Sequence, residues 1–375
     1  MKEGGTVSLK APFPFFGGKR KCAHLVWERF GDVPNYVEPF FGSGAVLLSR
    51  PHWPFTSTRI ETVNDVDCYL VNFWRSMQRD PEAVCDAADC PIMEAELHAR
   101  HNWLHQQKER IERHKVDPDF YDAKVAGYWV WGLSSWIGDC FCRPTPQAAI
   151  PQLGPSKGVN RKLSQQIPHL RTAGMGVNRK LSRLGFSQGI ETARGVHKTI
   201  PDLGGGKGTE RPALRTSDVF VEDAPGSCAD RHTALLAYFQ QLADRLRGVR
   251  VCCGDWTRVL TRTPTELLGL TGIFLDPPYD TGGTDYGMDI SGISTAVREW
   301  CKANGDNPLF RIALCGYVDE KHGEDLPSWT CVKWKAGGGY NNQGNGENQG
   351  KNRERERIWF SPNCHDPNRL KMSLF

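Results

Sequence analysis

The tetrapeptide Asp276-Pro277-Pro278-Tyr279 places a carboxylate, a stiff backbone and an aromatic ring at one point of the chain. A carboxylate and a proline carbonyl can accept hydrogen bonds from both N–H groups of an exocyclic amine on a nucleobase. Such an amine is a poor nucleophile because its lone pair is delocalised into the ring. The two acceptors would direct this lone pair towards an electrophile, and Tyr279 would stack on the base once it has left the double helix.

An apolar run, residues 273–275, precedes this tetrapeptide and is typical of a buried parallel strand. The two prolines end the strand, because proline has no backbone N–H to donate to a neighbouring strand. In open α/β sheets, ligands bind beyond the carboxyl ends of the strands. The sequence therefore predicts that the tetrapeptide lies at the ligand-binding edge of such a sheet.

A second group of elements near the N-terminus predicts a site for a cofactor. Residues 36–48 are typical of a strand, a glycine turn at Gly42 and Gly44, and an apolar helix. Residues 61–65 predict a further strand that ends in Asp65, roughly 20 residues after the turn, the usual distance to a carboxylate that binds ribose hydroxyls. The turn lacks the third glycine of a dinucleotide site, and neither Lys19 nor Lys207 is followed by the Ser or Thr of a P-loop.

Four motifs occur in a fixed order: Phe-Gly-Gly-Lys at 16–19, Glu-Pro-Phe-Phe-Gly-Ser-Gly at 38–44, Asn-Asp at 64–65 and the tetrapeptide at 276–279. This set resembles the Dam-like, D12-class adenine-N6 DNA methyltransferases, including their phage and prophage members. The resemblance implies an α/β fold with a Rossmann-like seven-stranded methyltransferase sheet, a helical target-recognition insertion and S-adenosylmethionine as cofactor. It also implies that double-stranded DNA is the partner, that adenine is flipped out, and that its N6 amine attacks the methyl group directly.

The resemblance also implies roles for individual residues, with catalysis assigned to Asp276, Pro277, Pro278 and Tyr279. The cofactor-binding residues that it implies are Phe15, Gly17, Lys19, Glu38, Pro39, Phe41, Gly42, Gly44, Asp65, Asp255, Trp256 and Asp276. Among them, Glu38 and the glycines would line the methionine end, and Asp65 would hold the ribose. The alternatives are a solvated charge for Lys19 and a helix N-cap for Asp65.

Asp255 and Trp256 end another predicted strand, residues 248–256, and by resemblance they would contact the cofactor's adenine. An N-cap for the next helix is the alternative for Asp255. His98, His101 and His105 share one face of a predicted helix, which makes zinc an alternative there. No cysteine accompanies them, so a solvated or DNA-facing stripe is favoured and no metal ion is expected.

Composition divides the chain into four parts. We predict a cofactor-binding half at 1–90, a helical and aromatic target-recognition region at 91–150, a basic repeat insert at 151–215 and a catalytic half at 216–375. Thirteen Lys or Arg but only three Asp or Glu lie between Arg143 and Arg215, a net +10 against +4 for the whole chain. Related segments recur there every 17 to 19 residues with almost no aromatic residue. The insert is predicted to be a flexible loop along DNA phosphates; the alternative is an insertion without function.

The thirteen cysteines include no Cys-x-x-Cys pair, which favours reduced thiols in the cytoplasm. No apolar run reaches the length of a membrane span, so a soluble protein is expected. We also expect it to be a monomer. A cognate restriction nuclease is a candidate partner. Two other functions stay open at this point: an RNA adenine-N6 methyltransferase, and a DNA-binding relative that has lost catalysis.

Overall fold

The structure is a computed structural model that describes residues 9–13, 15, 18–136, 141–142, 228–279, 292–318, 320–334 and 355–367. The predicted basic insert and Gly17 lie outside the described residues. The strands are β1 (Asn35–Glu38), β2 (Ile60–Asp65), β3 (Val249–Cys253), β4 (Thr271–Leu275), β5 (Phe310–Tyr317), β6 (Thr330–Lys333) and β7 (Glu356–Phe360).

The α-helices of the described segments are α1 (Ala23–Phe30), α2 (Ala45–Leu48), α3 (Cys68–Arg79), α4 (Pro81–Ala88), α5 (Glu94–Gln106), α6 (Lys108–Ile111), α7 (Ala123–Ser135), α8 (Cys228–Leu246), α9 (Ile293–Asn304) and α10 (His322–Asp325). Short 3-10 helices occur at Glu112–Lys115, Trp256–Val259 and Glu266–Leu268. A bilayer-spanning helix is absent from the described residues, since no helix there combines the necessary length and hydrophobicity.

The described strands form one seven-stranded sheet in the order β3-β2-β1-β4-β5-β7-β6. The first five strands of that order are parallel, whereas β7 is antiparallel to both β5 and β6. The strand order reverses between β1 and β4, which opens a crevice at their carboxyl ends. The predicted Rossmann-like α/β sheet is confirmed.

Side chains that alternate along the central strands supply both faces of the sheet with a core. On β4, Phe274 packs into one buried cluster, while Ile273 and Leu275 pack into a second one on the opposite face. On β5, Ala313 and Leu314 divide in the same way. Since both faces are covered, β4 and β5 are largely apolar along their length rather than alternately apolar and polar.

The histidine face of α5 differs from the prediction. His98 and His101 are only 6% and 3% exposed, so the interpretation of a solvated or DNA-facing stripe was wrong for these two residues. The ring nitrogens Nε2 of His101 and His105 lie 3.1 Å apart, and burial lowers the pKa of His101 to about 3. Within the described segments, no three His, Cys, Asp or Glu side chains are grouped to hold a metal ion.

Candidate active site

A cavity of about 290 Å³ lies where β1, β2 and β4 end. The predicted site residues that line it are Phe15, Lys19, Glu38, Phe41, Gly42, Asp65, Asp276, Pro277, Pro278 and Tyr279. Pro39, Gly44, Asp255 and Trp256 are not among the lining residues. The fold therefore brings the tetrapeptide and the glycine turn, which are more than 230 residues apart in the sequence, to one shared cavity.

The glycine turn after β1 needs its glycines for both conformation and space. Gly42 and Gly44 have φ angles of 48° and 62°, in the left-handed region that favours glycine. A Cβ atom on Gly42 would lie 2.6 Å from a ring carbon of Phe15. The Gly42 carbonyl also accepts a hydrogen bond of 3.0 Å from the indole N–H of Trp74. The turn is thus held close to the aromatic wall of the cavity.

Asp65, the last residue of β2, is held by backbone donors. Its Oδ2 accepts from the Gly42 N–H and its Oδ1 from the Asp67 N–H, both at 3.0 Å. Burial raises the pKa of Asp65 to about 6, and these two hydrogen bonds oppose that rise. The N-cap of α3 is Asp67 rather than Asp65, so the alternative role for Asp65 does not hold. Each Asp65 oxygen retains acceptor capacity for a hydroxyl in the cavity.

Lys19 and Asp276 form an ion pair at the other end of the cavity, with Nζ 2.9 Å from Oδ1. Lys19 is only 4% exposed, which excludes the solvated-charge alternative. Burial alone would lower the pKa of Lys19, but the negative charges led by Asp276 and including Glu356 outweigh it and hold the pKa above its ordinary value. Lys19 is therefore a permanent buried cation.

Tyr279 completes this end of the cavity. Its hydroxyl donates to Asp276 Oδ1 over 3.2 Å, and its ring centroid lies 5.4 Å from the Lys19 Nζ. Burial, followed by the charge of Asp276, raises the pKa of Tyr279, so the hydroxyl remains a donor. The ring also packs edge-on against Tyr317 with centroids 4.4 Å apart. Both contacts to Asp276 use Oδ1, so neither group occupies Oδ2.

Glu38 is a second buried carboxyl group on the cavity wall. Its Oε2 accepts a hydrogen bond of 2.9 Å from the Tyr36 hydroxyl two residues earlier on β1. Burial raises the pKa of Glu38 well above its ordinary value, against the effect of that hydrogen bond. This group therefore takes up a proton much more readily than a solvated glutamate.

Asp255 and Trp256 occupy a different environment from the rest of the predicted set. Asp255 caps the 3-10 helix Trp256–Val259, where its Oδ1 accepts from the Thr257 N–H at 2.9 Å. Trp256 stacks on Phe40, with ring centroids 6.0 Å apart, and Phe40 itself lines the cavity. The structure confirms the N-cap alternative for Asp255. A contact of either residue with a cofactor stays a prediction.

Several lining residues were missed by the sequence analysis. Val66 follows Asp65 directly, is 46% exposed and faces the cavity, as does Lys115 from the 3-10 helix Glu112–Lys115. An apolar residue placed immediately after a strand-ending acid is a signal that could have identified Val66. Lys115 carries no such signal, because its position depends on how the segment after α5 packs against α3 and β3.

The doubly wound sheet, with a cavity at its switch point and an Asp-Pro-Pro-Tyr turn on the cavity wall, defines an α/β enzyme of the Rossmann-like methyltransferase class. Residues 15–124 match the family described as D12 class N6 adenine-specific DNA methyltransferase. Comparison with curated proteins gave no match. The matched stretch contains Phe15 to Asp65 and ends before the tetrapeptide, which the fold brings to the same cavity. The match indicates a DNA methyltransferase that is adenine-specific and similar to the Dam-like members of the D12 class.

Proposed function

We propose that the protein transfers the methyl group of S-adenosylmethionine to the N6 amine of an adenine that has been flipped out of double-stranded DNA. The observation that supports this most directly is the single cavity shared by Asp276, Tyr279, Gly42 and Asp65. S-adenosylmethionine supplies the electrophilic methyl group when it is bound. The protein's own contribution is then to hold two reactants, orient an amine and accept a proton.

The donors and acceptors at the glycine-turn end suit S-adenosylmethionine. Asp65 offers carboxylate oxygens to a pair of ribose hydroxyls, and Phe15 and Phe41 provide apolar walls. The Phe15 ring lies so close to Gly42 that a side chain at position 42 would collide with it. Because glycine has no side chain, this part of the cavity stays open for a ligand. Glu38 adds a carboxyl group on the same wall. We assign these residues to the cofactor.

The tetrapeptide end suits the amine of adenine. Asp276 and the Pro277 carbonyl accept its two N–H groups, which directs the nitrogen lone pair away from the ring and towards the methyl carbon. Asp276 also accepts the proton that the nitrogen loses once its bond to carbon has formed. Tyr279 offers a ring whose orientation is fixed by its hydrogen bond to Asp276 and its contact with Tyr317. Positioning of this kind accounts for most of the catalysis, and no covalent enzyme intermediate is needed.

Replacement of Asp276 tests the assignment. Asp276→Ala is expected to lower the rate of methyl transfer by at least about 10³-fold, while S-adenosylmethionine binds with an affinity within a few fold of the wild type. Transfer of a radiolabelled methyl group and isothermal titration calorimetry measure the two quantities. Asp244→Ala, a matched change on the exposed face of α8, should alter neither quantity. Substantial turnover by Asp276→Ala would reject the role of this carboxylate.

The nature of the acceptor is tested separately. Duplex DNA is expected to accept methyl groups at least about tenfold faster than structured RNA. Long-read sequencing of modified bases in cells that express the protein should detect N6-methyladenine at one recurring sequence. Preferential transfer to RNA would contradict the DNA part of the proposal and leave the chemistry of the cavity intact.

A further inference from the structure

Lys19 has a second carboxylate neighbour to which neither the sequence nor the family match assigns a role. Glu356, the first residue of β7, places its Oε2 4.0 Å from the Lys19 Nζ, on a side chain that is almost completely buried. The lysine also lies between the rings of Tyr279 and Trp334, at 5.4 and 5.9 Å from their centroids. One cation thus stands between two carboxylates, with Asp276 at 2.9 Å.

The antiparallel direction of β7 explains how Glu356 reaches this place. The five parallel strands deliver their last residues to the active edge of the sheet, whereas an antiparallel strand delivers its first residue there. Glu356 pairs in register with Tyr317, the last residue of β5, and Tyr317 contacts the ring of Tyr279. Glu356 therefore lies next to Lys19 and the Tyr317–Tyr279 pair without lining the cavity itself.

The contact between Glu356 and Lys19 is incomplete. Glu356 Oε2 is fully buried and has no hydrogen-bond partner in the described structure, and 4.0 Å is too long for a hydrogen bond to Lys19. A buried carboxylate oxygen left in this way is costly. Burial raises the pKa of Glu356, while the charge of Lys19 lowers it. This oxygen would be stabilised most if the Lys19 ammonium moved about 1 Å closer and formed a hydrogen bond with it.

We propose that Glu356 is a positioning residue for methyl transfer: it is the second counter-ion that receives Lys19 when Asp276 turns to the amine of the substrate. The proposal rests on the function proposed above for Asp276. The Oδ2 oxygen of Asp276, which carries neither the Lys19 nor the Tyr279 contact, turns towards the N–H group of adenine, and this rotation moves Oδ1 away from the Lys19 ammonium. A buried lysine that moved away from a carboxylate without meeting another would lose stabilisation of its charge. With Glu356 beside it, Lys19 exchanges one ion pair for another over a short movement.

Glu356→Gln tests this idea with a side chain of the same shape. The change removes one of the two carboxylates beside Lys19, so Lys19 binds Asp276 more tightly. The amine of the substrate must then compete with Lys19 for Asp276. We expect kcat to fall about tenfold or more, while the Kd for S-adenosylmethionine stays within about twofold. Glu320→Gln is the matched control, because Glu320 is another buried glutamate beside β5, and Ser294 and His322 lie against its carboxylate where Lys19 lies against that of Glu356. Its kcat should stay within about twofold of the wild type.

A double-mutant cycle with Lys19→Met separates positioning from a general structural role. Without the lysine, Glu356 loses the cation that lies 4.0 Å from it, so adding Glu356→Gln to Lys19→Met should raise the Tm and lower kcat no further. An equal fall in kcat from Glu356→Gln in both backgrounds would overturn the proposal, as would wild-type kcat in the single variant.

A second variant covers the case in which Glu356→Gln does not fold. Glu356→Asp retains the charge but withdraws it from Lys19, and it should lower kcat about threefold without changing the Kd for S-adenosylmethionine. Wild-type kcat in Glu356→Asp would count against the proposal. A wild-type enzyme that transfers no methyl group to any DNA would instead reject the proposed function itself, and the Tm cycle would still measure the coupling between Lys19 and Glu356.

Discussion

Two buried three-charge clusters lie in the same sheet and are built in opposite ways. In the first, which we call the arginine cluster, Glu61 on β2 is bound by Arg50 at 3.0 Å and by both terminal nitrogens of Arg245 at 2.7 and 2.8 Å. Arg245 also donates to the Leu47 carbonyl at 2.9 Å. Every oxygen of Glu61 is hydrogen-bonded, and the cluster joins β2, α8 and the segment after α2.

In the second, the lysine cluster, one ammonium serves the carboxylates of Asp276 and Glu356, at 2.9 and 4.0 Å. It has more negative than positive charge, and one of its oxygens has no hydrogen bond. Lys19 and Glu356 are buried, whereas the Asp276 side chain, which lines the cavity, is 21% exposed. A guanidinium with a fixed set of donors locks a carboxylate in place, whereas an ammonium on a flexible stem can move between two carboxylates. The arginine cluster is suited to holding the fold together, and the lysine cluster to rearranging during a reaction.

The largest expected effect comes from breaking the arginine cluster. Glu61→Gln leaves two buried guanidinium groups without a counter-ion, and it should lower the free energy of unfolding by about 3–5 kcal/mol. Urea denaturation measures this change, and kcat per folded molecule should stay close to wild type at low temperature. A loss of less than about 1 kcal/mol would mean that the cluster contributes no more than a surface ion pair.

A smaller effect is expected when Lys19 of the lysine cluster is replaced by arginine, the cation of the arginine cluster. Lys19→Arg provides five donors in a rigid plane, which can bind Asp276 and Glu356 at once and hold both. We expect kcat to fall about tenfold or more while the Tm is unchanged or higher. Methyl-transfer kinetics and thermal denaturation give the two values. Wild-type kcat in this variant would show that the mobility of the cation is irrelevant.

The smallest effect concerns Asp65, a third buried carboxylate that is held by backbone N–H groups from Gly42 and Asp67. Its pKa is raised to about 6, so it is charged above pH 6 and protonated below. A protonated Asp65 is a poorer acceptor for ribose hydroxyls, and affinity for S-adenosylmethionine is therefore lost as the pH falls through 6. The Kd should be about tenfold weaker at pH 5 than at pH 7.

Calorimetric titrations between pH 5 and pH 8 test this expectation. Asp65→Asn should bind the cofactor more weakly at pH 7 and should remove most of the pH dependence, because the group that titrates is gone. The same pH dependence in Asp65→Asn would assign it to another carboxyl group of the cavity, for which Glu38 is the candidate.

The predictable parts of the site are those encoded by local patterns. The strand before the glycine turn, the strand that ends at Asp65 and the strand that ends before Asp276 were all predicted, because apolar runs closed by glycine, proline or an acid are local signals. That these ends meet at one cavity followed from the rule for parallel sheets. The sequence thus predicted the sheet and most of the cavity wall.

The unpredicted parts depend on contacts between distant segments. Nothing in the sequence near Lys19 shows that it is buried against two acids, and nothing near Glu356 shows that an antiparallel strand brings it to Lys19. The histidines of α5 follow a helical spacing that is the same whether the face is wet or covered, and here His101 is covered by Trp136 and Phe141. Asp255 has the sequence context of both a strand end and a cap, and only the structure distinguishes them.

The position of β7 has a consequence for the folding of the enzyme during its synthesis on the ribosome. This strand follows β6 in the chain but lies between β5 and β6 in the sheet. A nascent chain that has been synthesised beyond residue 334 but not as far as residue 356 therefore exposes the edge of β5, which is a site for aggregation. It also lacks Glu356, the second carboxylate beside Lys19. Nascent chains of that length should therefore be inactive in methyl transfer and should aggregate. Activity and resistance to aggregation should appear together, once β7 pairs with β5.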